Sequence, residues 1–543
     1  MAHDHSSMGL GQHHHHDEAS TEKLGSVHFP ISCTAAQQAP FERGIALLHS
    51  FAYTEAFLQF TAISKADPTC AIARWGIAMT DYRELWGRPS ADDIKVGLAQ
   101  MQQAEALAAR SHTITPRERA YIDALHGFFS TAGTDFQTAA DGYAACMKTV
   151  ATTYPQDIEA QAFYALSLIA SVAPTDTSLT KERTALAILN PLFLAHPDHP
   201  GLAHYIIHTC DTPQLAQDGL AAAKVYAKIA PSSAHALHMP GHIFARLGMW
   251  PEDIESNLAS VRASEQAIAH HEPGGAHQMH AKEFLVYAYL QVGEDAKARA
   301  LTDSMASIGQ QMAAMPGMDD MKDDGPFFTN ELLAIDPMEM HDWHALAAIQ
   351  PMAGSPQRET FDITWGHGVA AGHLHDAALA DAAVADYERI QAAVASSGDS
   401  YLVNFTTVQE DELRGWQAYT HGQDDAAVAA MRRAAAQQDK LGQGEVDIPA
   451  DEMLGDLLML LHRPTDALAA YTVSLQLSPN RLNTLLAAGE AEEALGDMTA
   501  AKHFYAIAAA NTHNAATSQR PDLLHAVALT QHTTLATNGA NRP

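Results

Sequence analysis

The chain has 543 residues, 47% of them hydrophobic, with 64 acidic side chains against 32 basic ones and a formal charge of −32. That length exceeds an ordinary domain and calls for several domains or a repeat array, and no apolar run is long enough to cross a bilayer. The acidic balance argues against nucleic acid and anionic membranes as partners, because binding phosphates takes clustered Lys and Arg. Histidine is the compositional anomaly: there are 32, as many as Lys and Arg together.

In chain order, the head "MAHDHSSMGLGQHHHHDEAS" carries six histidines in its first sixteen residues and lacks the apolar core of a secretory signal. It reads as a disordered His-rich leader or tag over 1–24, and its His/Met/Asp tract has a composition that captures copper loosely. Of the four cysteines, Cys33 and Cys70 each stand just before a predicted helix of the first hairpin. They are the pair to bridge, with two buried free thiols as the alternative. A bridge implies an oxidising compartment, so the expected location is periplasmic or otherwise exported, with a cytoplasmic one as the alternative.

Beyond the head the chain reads as helix pairs. Alanine is abundant, apolar residues recur at helical spacing, prolines fall where helices begin, and no alternating β-branched run of strand length appears. In "DEMLGDLLMLLHRPTDALAAYTVSLQLSP", Leu454, Gly455, Ala467, Tyr471 and Pro479 take the spacings of a tetratricopeptide repeat (TPR). Gly489, Ala501 and Tyr505 each follow 34 residues after a counterpart, and Ala56, Phe60 and Pro68 keep the same offsets near the start. The predicted fold is all-α, a TPR-like α-solenoid of helical hairpins. It divides into an N-terminal array over 25–310 with a histidine-lined concave face, a Met/Asp-rich linker over 311–330, and a C-terminal array over 331–543.

The same phase aligns histidines. Pro197 and Pro231 are 34 residues apart, which makes "HPDHPGLAHYIIHTCD" and "APSSAHALHMPGHIFARLG" consecutive first helices. His204 and His238 then share one repeat place, and His208 and His242 another. His235 stands with His238 and His242 at spacings of three and four, which stack side chains on one helix face. The next first helix, "MHAKEFLVYAYLQVG", is phased by Gly293 against Gly248. It puts His280 at the place of His235, Glu283 at that of His238 and Tyr287 at that of His242. Pro155 phases Glu159 to the His235 place one helix earlier, and Asp211 extends the face of His208 by one turn.

Six histidines and three carboxylates from four neighbouring helices make a metal-site constellation. Neutral imidazole suits zinc, copper and iron, and a carboxylate neutralises cation charge. With more than four candidates, either two metals bind or some histidines orient the others. For each histidine taken singly, the alternative is a hydrogen-bonded core residue or a polar groove residue that holds a peptide terminus. No HExxH is present, which weakens a zinc-peptidase reading; copper or iron is expected ahead of zinc.

Other features weigh less. Met305, Met312, Met315, Met318 and Met321 lie among Asp and Gly, either as soft ligands for Cu(I) or as incidental members of an acidic linker. His49, Trp75, Tyr82 and Trp86 in the first repeats read as aromatic packing. "TWGHGVAAGHLHDAALAD", with His367, His373 and His375, reads as a helix followed by a loop without a clear site.

"LGSVHFPISC", "DPTCAIARWGIAM", "HPGLAHYIIH", "HALHMPGHIFARLGMW", "HAKEFLVYAYLQ" and "PNRLNTLLAAGEAEEALGD" resemble the landmarks of a group of bacterial TPR proteins, many of them exported. The likeness runs from about Leu24 to about Asn511, and His204, His208, His235, His238, His242 and His280 match its histidine positions. Where the group has Asp, this chain has Glu283. The resemblance implies that first helices line a concave groove into which these side chains point; it brings no settled activity. The resulting expectation is a metal-dependent TPR protein, a copper or iron oxidoreductase acting on a small molecule or peptide in the groove. Glu283 or Asp211 would tune the metal, and Tyr205 or Tyr287 would donate a proton or hydrogen bond. The alternatives are a non-enzymatic scaffold for a peptide or partner protein, and a periplasmic copper carrier without turnover.

Overall fold

The computed structural model describes residues 22–85, 88–174, 176–270, 277–314, 321–397, 400–442, 444, 446–512, 518 and 520–538. Among them are 26 α-helices, two short 3-10 turns and no strand, so the chain is an all-α, TPR-like α-solenoid of helical hairpins. It divides into two compact units. The first holds 1–211, 215–243 and 259–277, and the second holds 212–214, 244–258 and 278–543.

Within each unit the repeat spacing has a steric cause. A Cβ on Gly44 would lie 2.6 Å from the Phe60 ring in the first unit; in the second, one on Gly455 would lie 2.3 Å from Tyr471 and one on Gly489 2.2 Å from Tyr505. Each glycine sits on the first helix of a pair and each ring on the second. Only a residue without a side chain lets the backbone approach so closely. First helices such as Ala71–Tyr82 and Pro200–Cys210 are buried along nearly their whole length. A second helix such as Ala91–Arg110 buries one stripe, through Met101, Ala104 and Ala108.

The stretch 311–330, read above as a linker, holds the end of helix Asp295–Ala313 and the start of helix Met321–Glu339. Met305 and Met312 are buried in the former as core residues, whereas Met315 and Met318 lie outside the described residues, as does the side chain of Met321. The leader is likewise outside them as far as 21.

From Glu22 the first unit carries a non-helical strap. Glu22 pairs with Arg43. Lys23 and Ser232 bond reciprocally, Lys23 N–H to Ser232 Oγ at 2.8 Å and Ser232 N–H to the Lys23 carbonyl at 3.2 Å. Gly25, at φ +85°, passes so close to Asp198 that a Cβ would meet its carbonyl oxygen at 2.7 Å. Phe29 is fully buried among Phe41, Trp75 and Tyr121, with the Arg117 guanidinium 4.1 Å above its ring. Cys33 closes the strap in a disulfide with Cys70, their Cα atoms 5.0 Å apart. The expected pairing is present.

The histidine segment, expected as one helix, is two: Ala234–His238 and Pro240–Arg246. Pro240 has no N–H to give to the turn before it, and His242 N–H bonds instead to the Met239 carbonyl at 3.2 Å.

Candidate metal centre

Helix Pro200–Cys210 opens with Pro200 in its first turn and His199 as N-cap, and it carries His204 and His208 inward. Helix Ala234–His238 is capped by Ser233, which accepts the Ala236 N–H, and it carries His235 and His238. In the first unit the rings form a continuous run. His204 lies 4.7 Å from His208 and 4.9 Å from His235 between centroids, His235 lies 5.1 Å from His277 and 6.3 Å from His238, and His238 lies 4.8 Å from His242. One ring nitrogen from each of His204, His208 and His235 lies within 4.8 Å of the other two. His204 is 0% and His235 2% exposed, so these rings sit in the interior and not on an open groove face; His208 is half-buried.

Hydrogen bonding sets the protonation of the rings. His204 Nδ1 is 2.6 Å from the His49 carbonyl oxygen, which can only accept, so Nδ1 carries the proton and Nε2 presents its lone pair. That lone pair faces His235 Nε2 at 3.1 Å. His242 Nδ1 is 2.9 Å from Asp211 Oδ2 and donates to it, which leaves its Nε2 lone pair facing His238 Nε2 at 2.9 Å. A carbonyl or carboxylate behind the far nitrogen is how metal-ligating histidines are held. Two nitrogens bound to one ion at about 2.0 Å lie roughly 2.9 Å apart at a right angle and about 3.3 Å apart in a tetrahedron, so both pairs have ligand spacing. The same spacing accommodates an N–H···N bond, which holds each pair in the metal-free chain. Burial pushes the His204 imidazole down to about 3, against the pull of the His49 carbonyl. Burial, then His204 and His277, puts His235 well below its ordinary value. Both rings are therefore neutral, the form that ligates.

A second group, His49, Glu159 and His199, has comparable proximity and the opposite wiring. Leu202 N–H donates to His199 Nδ1 at 3.3 Å, so His199 carries its proton on Nε2 and gives it to Glu159 Oε1 at 3.0 Å. His49 Nε2–H donates to Glu159 Oε2 at 2.6 Å, and its Nδ1 accepts from the Tyr205 hydroxyl at 2.8 Å. An ion on His199 Nε2 would need a proton on Nδ1, where Leu202 already aims its own. Every ring nitrogen in this group is spent inside the protein, so it is a structural relay. Burial disfavours the charged carboxyl of Glu159, but His199 and His49 outweigh it and hold the group well below the usual carboxylate range.

Aromatic rings wrap the first group. Phe51 is 3% exposed and stands 4.4 Å from His204, 5.2 Å from His208 and 5.6 Å from His235, ring centre to ring centre. Tyr226 stacks on His204 at 5.1 Å.

Of the expected site residues, His204, His208, His235, His238, His242 and Asp211 come together in the first unit. Glu159 and Tyr205 belong to the relay. His280, Glu283 and Tyr287 are in the second unit. There His280 Nδ1 meets Glu283 Oε2 at 2.6 Å, while Tyr287 donates to the Asp447 carbonyl at 2.9 Å and receives Arg481 at 2.7 Å. His277, Phe51 and Tyr226 were not anticipated. His277 stands one turn before His280, a signal the glycine phasing passed over. Trp75 and Tyr82 pack on aromatic neighbours as expected, Trp75 on Tyr121 and Phe163 and Tyr82 on Phe128 and Tyr143. Trp86 lies outside the described residues.

No family model matches the chain, and no curated protein does. Among solved structures it is similar to the human IFIT1 dimer with m7Gppp-AAAA, at 10% identity and a TM-score of 0.36 over 81% of this chain and 90% of that one. It is also similar to the TPR domain of P58(IPK), at 10% identity and a TM-score of 0.21 over 85% and 99%. At those values neither likeness bears on function.

Proposed function

We propose that the protein is a metal-dependent TPR-like protein in which His204, His208 and His235 hold a copper or iron ion and serve redox chemistry on a small molecule or peptide. The observation that carries this reading is the preset wiring of His204, whose Nδ1 proton is given to a main-chain carbonyl so that Nε2 faces the neighbouring imidazole. When bound, such an ion supplies one-electron chemistry at a fixed place. The protein's part is to orient and to exclude water. The His49 carbonyl fixes one ligand, Phe51 and Tyr226 keep the rings dry, and half-buried His208 marks the side from which a small molecule would approach. The Cys33–Cys70 bridge supports an exported location. A non-enzymatic copper carrier is the second reading, favoured by the burial of His204 and His235.

The test is metal analysis of full-length chain purified without an affinity column, with His3, His5 and His13, His14, His15 and His16 replaced by asparagine. Near-stoichiometric copper or iron, with a spectrum that changes on reduction, supports the reading. Protein that stays metal-free after loading overturns it. Bound metal that passes no electrons between added reductant and oxidant moves the assignment to the carrier.

A further inference from the structure

Resting on that reading, we infer that the three-histidine centre is built for a singly charged cuprous ion, and that Phe51 is the residue that makes it so.

The ligand group contains imidazoles alone. Two carboxylates packed on the neighbouring histidines are committed elsewhere, Asp211 to the Nδ1 proton of His242 and Glu159 to His49 and His199. Among the described residues the ligand group holds no carboxylate, so an ion bound there brings its whole charge into a buried site without an anionic ligand to offset it. The cost of burying an ion grows as the square of its charge, so a dication is penalised roughly four times as heavily as a monocation in the same surroundings. A divalent ion meets that cost by keeping water or taking a carboxylate. Cu(I) has a closed shell, accepts three neutral ligands and needs no water.

Phe51 removes the water. It stands just past the end of helix Gln38–His49 at φ 50°, a left-handed conformation that costs a bulky side chain. Other helices in the fold end in the same left-handed turn, with glycine at Gly248, Gly293, Gly422 and Gly496 and with a larger residue at Arg83, His341, His375 and His462. At 51 the chain keeps a phenylalanine, and its ring lies on all three ligand imidazoles. The side chain is buried and covers the site from one side. Phe51 is thus a specificity-determining residue, acting through exclusion of the solvent a divalent ion requires.

The experiment uses full-length chain with the six N-terminal histidines replaced by asparagine, as wild type at 51 and as Phe51→Gly and Phe51→Leu. Glycine relieves the left-handed backbone while opening the site; leucine keeps apolar bulk and guards against a glycine variant that does not fold. Cu(I) is titrated anaerobically against a colorimetric Cu(I) chelator, and Zn(II) and Fe(II) against a divalent chelator. The wild type should hold one Cu(I) and prefer it to either divalent ion. Phe51→Gly should narrow that preference and speed Cu(I) transfer to the chelator, each by roughly tenfold or more, with Phe51→Leu in between. Zn(II) or Fe(II) held as tightly as Cu(I) overturns the inference while leaving the metal site standing, and so do an unchanged preference and rate in the folded variants. A chain that holds none of the three ions instead overturns the metal reading itself.

Discussion

His204 reaches back 155 residues to give its Nδ1 proton to the main-chain carbonyl of His49 at 2.6 Å. One bond thereby joins the two histidine groups of the first unit, with the relay holding His49 in place and His49 holding the proposed ligand. His204→Gln should lose the metal almost entirely, since an amide is a far poorer ligand, and the metal-free variant should melt within about 1–3 kcal/mol of metal-free wild type. Metal retained at wild-type level by this variant would falsify its assignment as a ligand.

The relay should show the reverse pattern. Glu159→Gln leaves His49 and His199 facing a group that both accepts and donates, and it removes the charge they surround. Stability should fall by about 3–5 kcal/mol in denaturant melts, while metal content per folded chain stays near one. His373, which the sequence reads as part of no clear site, is not an inert position. Its half-buried ring stacks on Trp343 at 3.7 Å and packs against Trp416 at 4.7 Å, so His373→Gln should lower stability and leave metal content alone. Exposed His503 is the neutral comparison.

The second unit should gain stability in acid. Burial pushes the Asp447 and Asp362 carboxyls up to about 7 each, against ordinary values of 3.8. A group raised in the folded state stabilises fully below its unfolded value and loses that contribution as pH climbs through the folded one. The stability of this unit should therefore fall between about pH 4 and pH 7 by a few kcal/mol. Asp447→Asn, which can still accept from Gln438, should be more stable than wild type at pH 8 and indistinguishable from it near pH 4. Denaturant melts at the two pH values decide this, and an equal effect at both refutes it.

The cysteines should sort into three classes under alkylation. In protein from an oxidising compartment, Cys33 and Cys70 should appear in one bridged peptide, and exposed Cys146 should react at once. Cys210, buried and with its thiol pushed up to about 12 by burial, should react only on unfolding. Removing the bridge should cost roughly 4 kcal/mol in the chain-entropy account. Free thiols at 33 and 70 in such a preparation would count against both the pairing and the exported location.

The helical array was legible because its spacing has a local steric cause. Gly455 under Tyr471 and Gly489 under Tyr505 depend on one hairpin each, and one hairpin is short enough to read along the chain. His204 and His208 share a helix, as do His235 and His238, so helical spacing was enough to gather them. What sequence phase could not reach was which helices lie side by side. Glu159 was phased toward His235, but its helix, Ile158–Ala170, lies where His49 and His199 claim it. His277 was missed because phasing Gly293 against Gly248 sets it opposite Ser232, where the preceding repeat has no histidine. Phe51 gave no signal, since nothing in its neighbours announces a left-handed turn.

The strap ties Lys23 to Ser232 across 209 residues, and that separation has a consequence for biogenesis. A chain that emerges N-terminus first cannot make the Lys23 contact until Ser232 has emerged. Until then the early helices wait without their last tether, and closure of such a distant contact is a late, slow event in folding. Cys33 and Cys70, much closer together, can join long before. The first unit therefore matures in a fixed sequence, a covalent clasp first and a hydrogen-bonded seal last. If the histidine group holds an ion as proposed, the interval between the two is when the imidazoles would be most accessible to it. Occupancy of the finished protein should then record the ions available while it folded.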